Sequence, residues 1–248
     1  MIPGTCHSKF DRCLKTAVGL LLLSGLFHGP RAVAGVIEES GFSSRQLRSV
    51  YAMPRPDGGT YGLLLYFHGT GGAASYKSVP GTLVSVARKH RLWPVSIRAP
   101  DGFNWPSQSW ESRNGFAEYV DDLLRKRLLR LPWVDSRRIF FMGWSAGAIF
   151  LSGDFLPHFG AGYRGAALMF CGGGMPFLPA VYKVEDLKKN MVLYYRIGQK
   201  DFLFRQTMPA VKFYRRFGVR VLVRVGQEAG HCNFDMAKEL KEGLAKIR

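Results

Sequence analysis

Apolar positions fall into short, nearly unbroken runs separated by longer stretches with helical spacing. Leu63-Leu-Leu-Tyr-Phe67 is typical, and the segments 93–99, 138–142, 166–170, 192–197 and 219–225 repeat the form. A strand apolar at every position has both faces covered, as in a parallel sheet between helices. Segment 47–54 and Tyr61–Phe67 read as a strand pair joined through the turn residues Asp57-Gly-Gly59. Between the strands, 79–90 has helical periodicity. Phe116, Val120, Leu123, Leu124 and Leu128 recur at three- and four-residue intervals, which predicts an amphipathic helix over 115–131. Its last turns carry Arg125, Lys126, Arg127 and Arg130, where the helix dipole favours cations. Further helices are expected from about Ser145, over 209–217 and over 236–247. Strand and helix in alternation define an α/β fold with a mostly parallel central sheet and helices on both faces. Residues 172–190 join two strands with Gly172-Gly-Gly174 and two prolines, leaving room only for a minimal lid.

The amino terminus breaks this pattern. Lys9, Arg12 and Lys15 precede an apolar run over 17–27, and Ala32-Val-Ala34 then offers small residues ahead of Gly35. That order describes a secretory signal peptide over 1–34, with a single folded domain over 35–248. The run is too short to cross a bilayer, although an uncleaved anchor is the other reading. The expected location is therefore exported, periplasmic or extracellular. Of 248 residues, 47% are apolar and 21% charged, which excludes a disordered chain. The formal charge is +17, and removing 1–34 leaves +14. Such a surplus suits weak contact with an anionic envelope or polysaccharide, or is simply a basic surface. Arg215, Arg216, Arg220 and Arg224 cluster, but no nucleic-acid-binding motif accompanies them, so no nucleic-acid partner is expected. Cys171 and Cys232 remain after cleavage, and either a disulfide or two free thiols fits an exported chain. No Cys-x-x-Cys or histidine-rich cluster suggests a metal.

Chemistry concentrates at Gly143-Trp-Ser145-Ala-Gly147, set between a strand and a helix. Gly-x-Ser-x-Gly alone recurs by chance. In this context the glycines permit a sharp strand-to-helix turn that lifts the serine hydroxyl above the sheet. A serine needs a base, and His231 follows the last strand, in Gly226-Gln-Glu-Ala-Gly-His231. The base needs a carboxylate, and Asp201 stands just past strand 192–197. Glu228 lies close to His231 in sequence and is the lesser candidate, while Asp122 and Asp154 read as exposed helix positions. Acyl transfer also needs donors for an oxyanion: the N–H of Ala146, after the serine, and that of Thr70 in the turn His68-Gly-Thr-Gly-Gly72. His68 reads as a brace for that turn. Trp105 and Trp110, in an aromatic loop, and Trp144, inside the motif, are candidate substrate contacts. Anchoring of that loop in the core is an equal alternative.

The order Ser145, Asp201, His231 resembles that of the α/β-hydrolase superfamily. Leu65-Tyr-Phe-His-Gly-Thr-Gly-Gly72, Pro100-Asp-Gly102 with Trp110, Asp121-Asp122 and 134–147 are similar to the secreted polyhydroxybutyrate depolymerase and feruloyl esterase group. The resemblance implies an α/β-hydrolase fold and hydrolysis of carboxylic esters without a cofactor, through an acyl-enzyme on a Ser145–His231–Asp201 triad. The substrate would be an ester, in a polyester or a phenolic or carbohydrate conjugate. A serine peptidase of the same fold, or a non-catalytic binder of an anionic polymer, are the other functions open at this point. The sequence does not fix the oligomeric state.

Overall fold

A computed structural model describes residues 35–40, 47–56, 58–72, 76–99, 105, 115–176, 184–227 and 229–247. The expected signal peptide, Trp110, Glu228 and Pro100-Asp-Gly102 lie outside the described residues. Among the described residues, eight strands form one sheet: β1 (Gly35–Ser40), β2 (Leu47–Ala52), β3 (Tyr61–Phe67), β4 (Leu92–Ile97), β5 (Val134–Trp144), β6 (Gly165–Phe170), β7 (Met191–Gly198) and β8 (Arg220–Gly226). Their order across the sheet is β1-β2-β4-β3-β5-β6-β7-β8. β1 and β2 pair antiparallel, as do β2 and β4, and every pairing from β4 to β8 is parallel. Segments 47–54 and Tyr61–Phe67 therefore do not pair. β4 lies between them, matching Val50 with Ile97 on one side and Leu65 with Val95 on the other.

The runs that looked uniformly apolar divide by parity. Leu63, Leu65 and Phe67 of β3, Ile139 and Phe141 of β5 and Leu193 and Tyr195 of β7 face one core. That side is covered by α2 (Phe116–Lys126), by the helix after β5 and by α6 (Phe204–Arg216). Leu64, Tyr66, Met142, Leu168 and Tyr194 face the other, beneath α1 (Val79–Lys89) and α7 (Met236–Lys246). Two dry faces explain why so few polar residues interrupt β3, β4 and β7, and those that do, Ser96 and Arg196, are themselves buried.

Three helices depart from expectation. The 115–131 helix ends at Lys126, where Arg127 leaves helical geometry at φ −125°, and a tight turn over Leu128–Arg130 still buries Leu128. The helix expected over 209–217 begins earlier, at Phe204, with Pro209 inside it. The helix after Ser145 is interrupted: α3 (Ala146–Phe150) passes into a wide turn, Leu151–Phe155, before α4 (Leu156–Phe159). Beyond β6, the described part of 172–190 holds only a single turn over Val184–Asp186 and α5 (Leu187–Asn190).

Candidate active site

The first feature is built from backbone. Ser145 joins β5 to α3 at φ 52° and ψ −114°, a conformation that side chains rarely adopt. Its N–H donates to the Phe170 carbonyl at 2.9 Å, tying the turn to the end of β6. The flanking glycines are required by space. A Cβ at Gly143 would stand 2.5 Å from the Ala148 Cα, and one at Gly147 would overlap the Phe67 carbonyl oxygen. Bare backbone at these two positions lets the helix turn back tightly against β3 and β5.

His231 and Asp201 meet Ser145 from the neighbouring strand ends. Asp201 follows β7; its carboxylate is buried and accepts the Leu203 N–H at 2.9 Å. His231, between β8 and α7, donates Nδ1–H to both oxygens of Asp201, at 2.9 and 3.0 Å. That assignment follows from Asp201 being an acceptor. It leaves Nε2 with a lone pair 3.0 Å from Ser145 Oγ. A hydroxyl, an imidazole and a buried carboxylate thus form one hydrogen-bonded line, able to withdraw the serine proton and hold the resulting cation.

The histidine loop is fixed at several points. A disulfide joins Cys232, next to His231, to Cys171 at the end of β6. Phe234 packs its ring against Trp144 and Phe170 and lies under the Arg196 guanidinium, 4.6 Å from its centre. Arg196 in turn pairs with Glu239 of α7 at 3.1 Å, both side chains being buried. Cys171, His231 and Cys232 offer ligand atoms within 4.8 Å of one another, but two sulfurs joined in a disulfide present no thiolate to a cation.

The turn after β3 lies against the serine. A Cβ at Gly69 would stand 3.2 Å from the Ser145 Cβ. His68 is buried; its Nε2 accepts the Ala99 N–H at 2.9 Å and its Nδ1 faces the Gly69 carbonyl at 2.7 Å, so it ties this turn to the end of β4. Thr70 is the next residue and is exposed. Ala146 is the first residue of α3, where a backbone N–H has no partner within the helix. Ala146 and Thr70, the two residues expected to supply oxyanion donors, thus lie on the serine turn and on the turn packed against it.

Trp105 is not a substrate contact. It is 0% exposed and stacks on Phe150 at 4.7 Å, with Phe67 and Phe116 at its edges. Trp105 itself is a core side chain, the alternative the sequence left open. Trp144 is half-buried and engaged by Phe170 and Phe234. Asp154, expected to be exposed, is buried and pairs with His158 at 3.0 Å. Asp122 stays at the surface beside Lys126. A cavity of about 360 Å³ lies at the opposite end of the sheet, by the starts of β5 and β6, among Arg138, Phe140, Arg164 and Leu244, and does not belong to the triad.

Phe202 escaped the sequence reading. Its ring lies 4.4 Å from the His231 imidazole, and it is 74% exposed. The available signal was the apolar run Phe202-Leu-Phe204 directly after Asp201, where a turn past the strand would ordinarily be polar.

The strand order, the crossovers on both faces and a serine on the turn after β5 define the α/β-hydrolase fold. Among solved structures that share it, a thermostable esterase aligns with 86% of this chain at a TM-score of 0.67 and 18% identity; the aligned part is 62% of that longer chain. A carboxyl esterase from Bacillus coagulans aligns at 0.63 and 12% identity, over 86% of this chain and 96% of its own. Est1E from Butyrivibrio proteoclasticus aligns at 0.60 and 11%, over 86% and 97%. No protein-family model and no curated protein matches the sequence. At these identities the likeness establishes the fold.

Proposed function

We propose that this chain is a serine esterase acting on carboxylic esters. The observation that carries the reading is the unbroken line from Ser145 Oγ through His231 to the buried Asp201. Ser145 attacks the ester carbonyl as Nε2 takes its proton, and the N–H groups of Ala146 and Thr70 hold the oxyanion. Collapse expels the alcohol, which takes the proton back from Nε2, and leaves an acyl-enzyme. Water repeats the cycle and releases the acid, with Asp201 orienting the imidazole and stabilising its cation.

The neighbours named as esterases support ester hydrolysis over other uses of the fold. The motif resemblance supports polyesters or phenolic and carbohydrate esters, and the short described connection after β6 suits a bulky substrate at an open site. Export is supported by the composition of 1–34 and by the disulfide, which persists in an oxidising compartment. The basic surplus suits weak attachment to an anionic surface.

Initial rates on p-nitrophenyl acyl esters test the proposal. Ser145→Ala is expected to lower kcat/KM by ~10⁴ or more. Wild-type rates no higher than those of the variant would overturn the esterase reading and favour a non-catalytic binder.

A further inference from the structure

Phe202 is the most exposed large apolar side chain among the described residues, with Val225 next at 40%. Single exposed apolar residues are ordinary on protein surfaces. Its position carries the argument. The turn that presents it is held by Asp201, which accepts the Leu203 N–H, so the carboxylate and the ring are fixed by one piece of backbone. The ring meets the imidazole at 4.4 Å with a tilt of 41°, leaving much of its surface open to solvent.

Resting on the esterase reading, the chemistry of the triad says which half of an ester reaches this ring. The carbonyl carbon sits over Ser145 and its oxygen turns toward Ala146 and Thr70. Nε2–H must then pass from the serine oxygen to the leaving oxygen as the ester C–O bond breaks, so the leaving oxygen lies beside Nε2. Whatever that oxygen carries lies next to the imidazole, and the ring beside the imidazole is Phe202. We propose that Phe202 is a specificity-determining residue for the alcohol half of the substrate, selecting esters of flat or bulky apolar alcohols such as benzyl alcohol. An aromatic ring with one open face can stack on a flat or apolar group.

Benzyl acetate and methyl phenylacetate test this directly, because they contain the same atoms with the ring on opposite sides of the ester. In kcat/KM, which reports acylation, Phe202→Ala is expected to lower the benzyl acetate to methyl phenylacetate ratio by ~3- to 10-fold. Phe202→Tyr, which keeps a ring, is expected to preserve the ratio. A second readout runs the same step in reverse: with p-nitrophenyl acetate as donor, benzyl alcohol should compete with water for the acyl-enzyme better in wild type than in Phe202→Ala. A merely structural role would not move this partition. Because the side chain is mostly exposed, its removal should leave the labelling of Ser145 by a fluorophosphonate intact, which verifies the folded site. An unchanged ratio in a labelled variant, or a loss confined to methyl phenylacetate, overturns the assignment to Phe202 alone. Absence of labelling and turnover in wild type overturns the esterase reading and this inference with it.

Discussion

Backbone strain at single residues marks the site. Among the described residues, the non-glycine positions with positive φ are Arg91, Ser145, Cys171 and Cys232, and three of these four belong to the serine turn or its disulfide. Such conformations persist only where the surroundings enforce them. For Ser145 the enforcement is the Phe170 bond and the two bare glycines. Asp201 is the residue whose role is most separable from folding, since an amide can fill its space. Asp201→Asn leaves the bond to Leu203 possible but favours the wrong imidazole tautomer, and kcat on p-nitrophenyl esters should fall by about 10⁴. His158 offers a pH-dependent contrast. Burial disfavours its charged form, but the Asp154 carboxylate and backbone outweigh that and hold its pKa above the usual 6.5. A raised value means that the proton stabilises the fold below that pH, and the contribution disappears as pH rises through the folded pKa. The Tm difference between wild type and His158→Gln should therefore be largest in mild acid and shrink toward alkaline pH.

Elements supply the geometry that the residues use. β7, α6, β8 and α7 together present Asp201 and His231, and α7 is locked to β7 by Arg196 and Glu239. Glu239 also receives Arg224 of β8 at 3.0 Å. Removing the acid strands a buried guanidinium, so Glu239→Gln should cost about 3–5 kcal/mol in chemical denaturation. At this scale the sequence was readable where burial dictates pattern. The seven strands from 47 onward were visible, most clearly β3, β4, β6 and β7, whose residues are nearly all apolar and buried on both faces. Pairing was not readable, because Asp57-Gly-Gly59 signals a turn while the partner of β2 comes from residues 95–97, far along the chain. The start of α6 was hidden by Pro209, which reads locally as a first-turn residue but sits inside a helix beginning at Phe204. β1 and the full reach of β5 to Val134 carried no such continuous apolar signal.

Across the whole molecule, distant segments converge by topology. Ser145, Asp201 and His231 were legible because each follows a strand, and parallel strands end on one side of the sheet. Trp105 was not, since an aromatic in a polar loop looks the same whether it faces solvent or, as here, Phe150. The sequence left a bridge and two free thiols equally open, and the structure joins Cys171 to Cys232. The bridge closes a span of 61 residues, and the loss of that constraint in the unfolded chain corresponds to about 4 kcal/mol. Cys171→Ser with Cys232→Ser should lower the Tm and, by loosening the loop beside His231, lower kcat as well. The triad itself is best tested by mass mapping after exposure to a fluorophosphonate. The account predicts a single phosphonyl adduct on the peptide containing Ser145, abolished by denaturation or by His231→Ala. An adduct elsewhere, or equal labelling without His231, would contradict it.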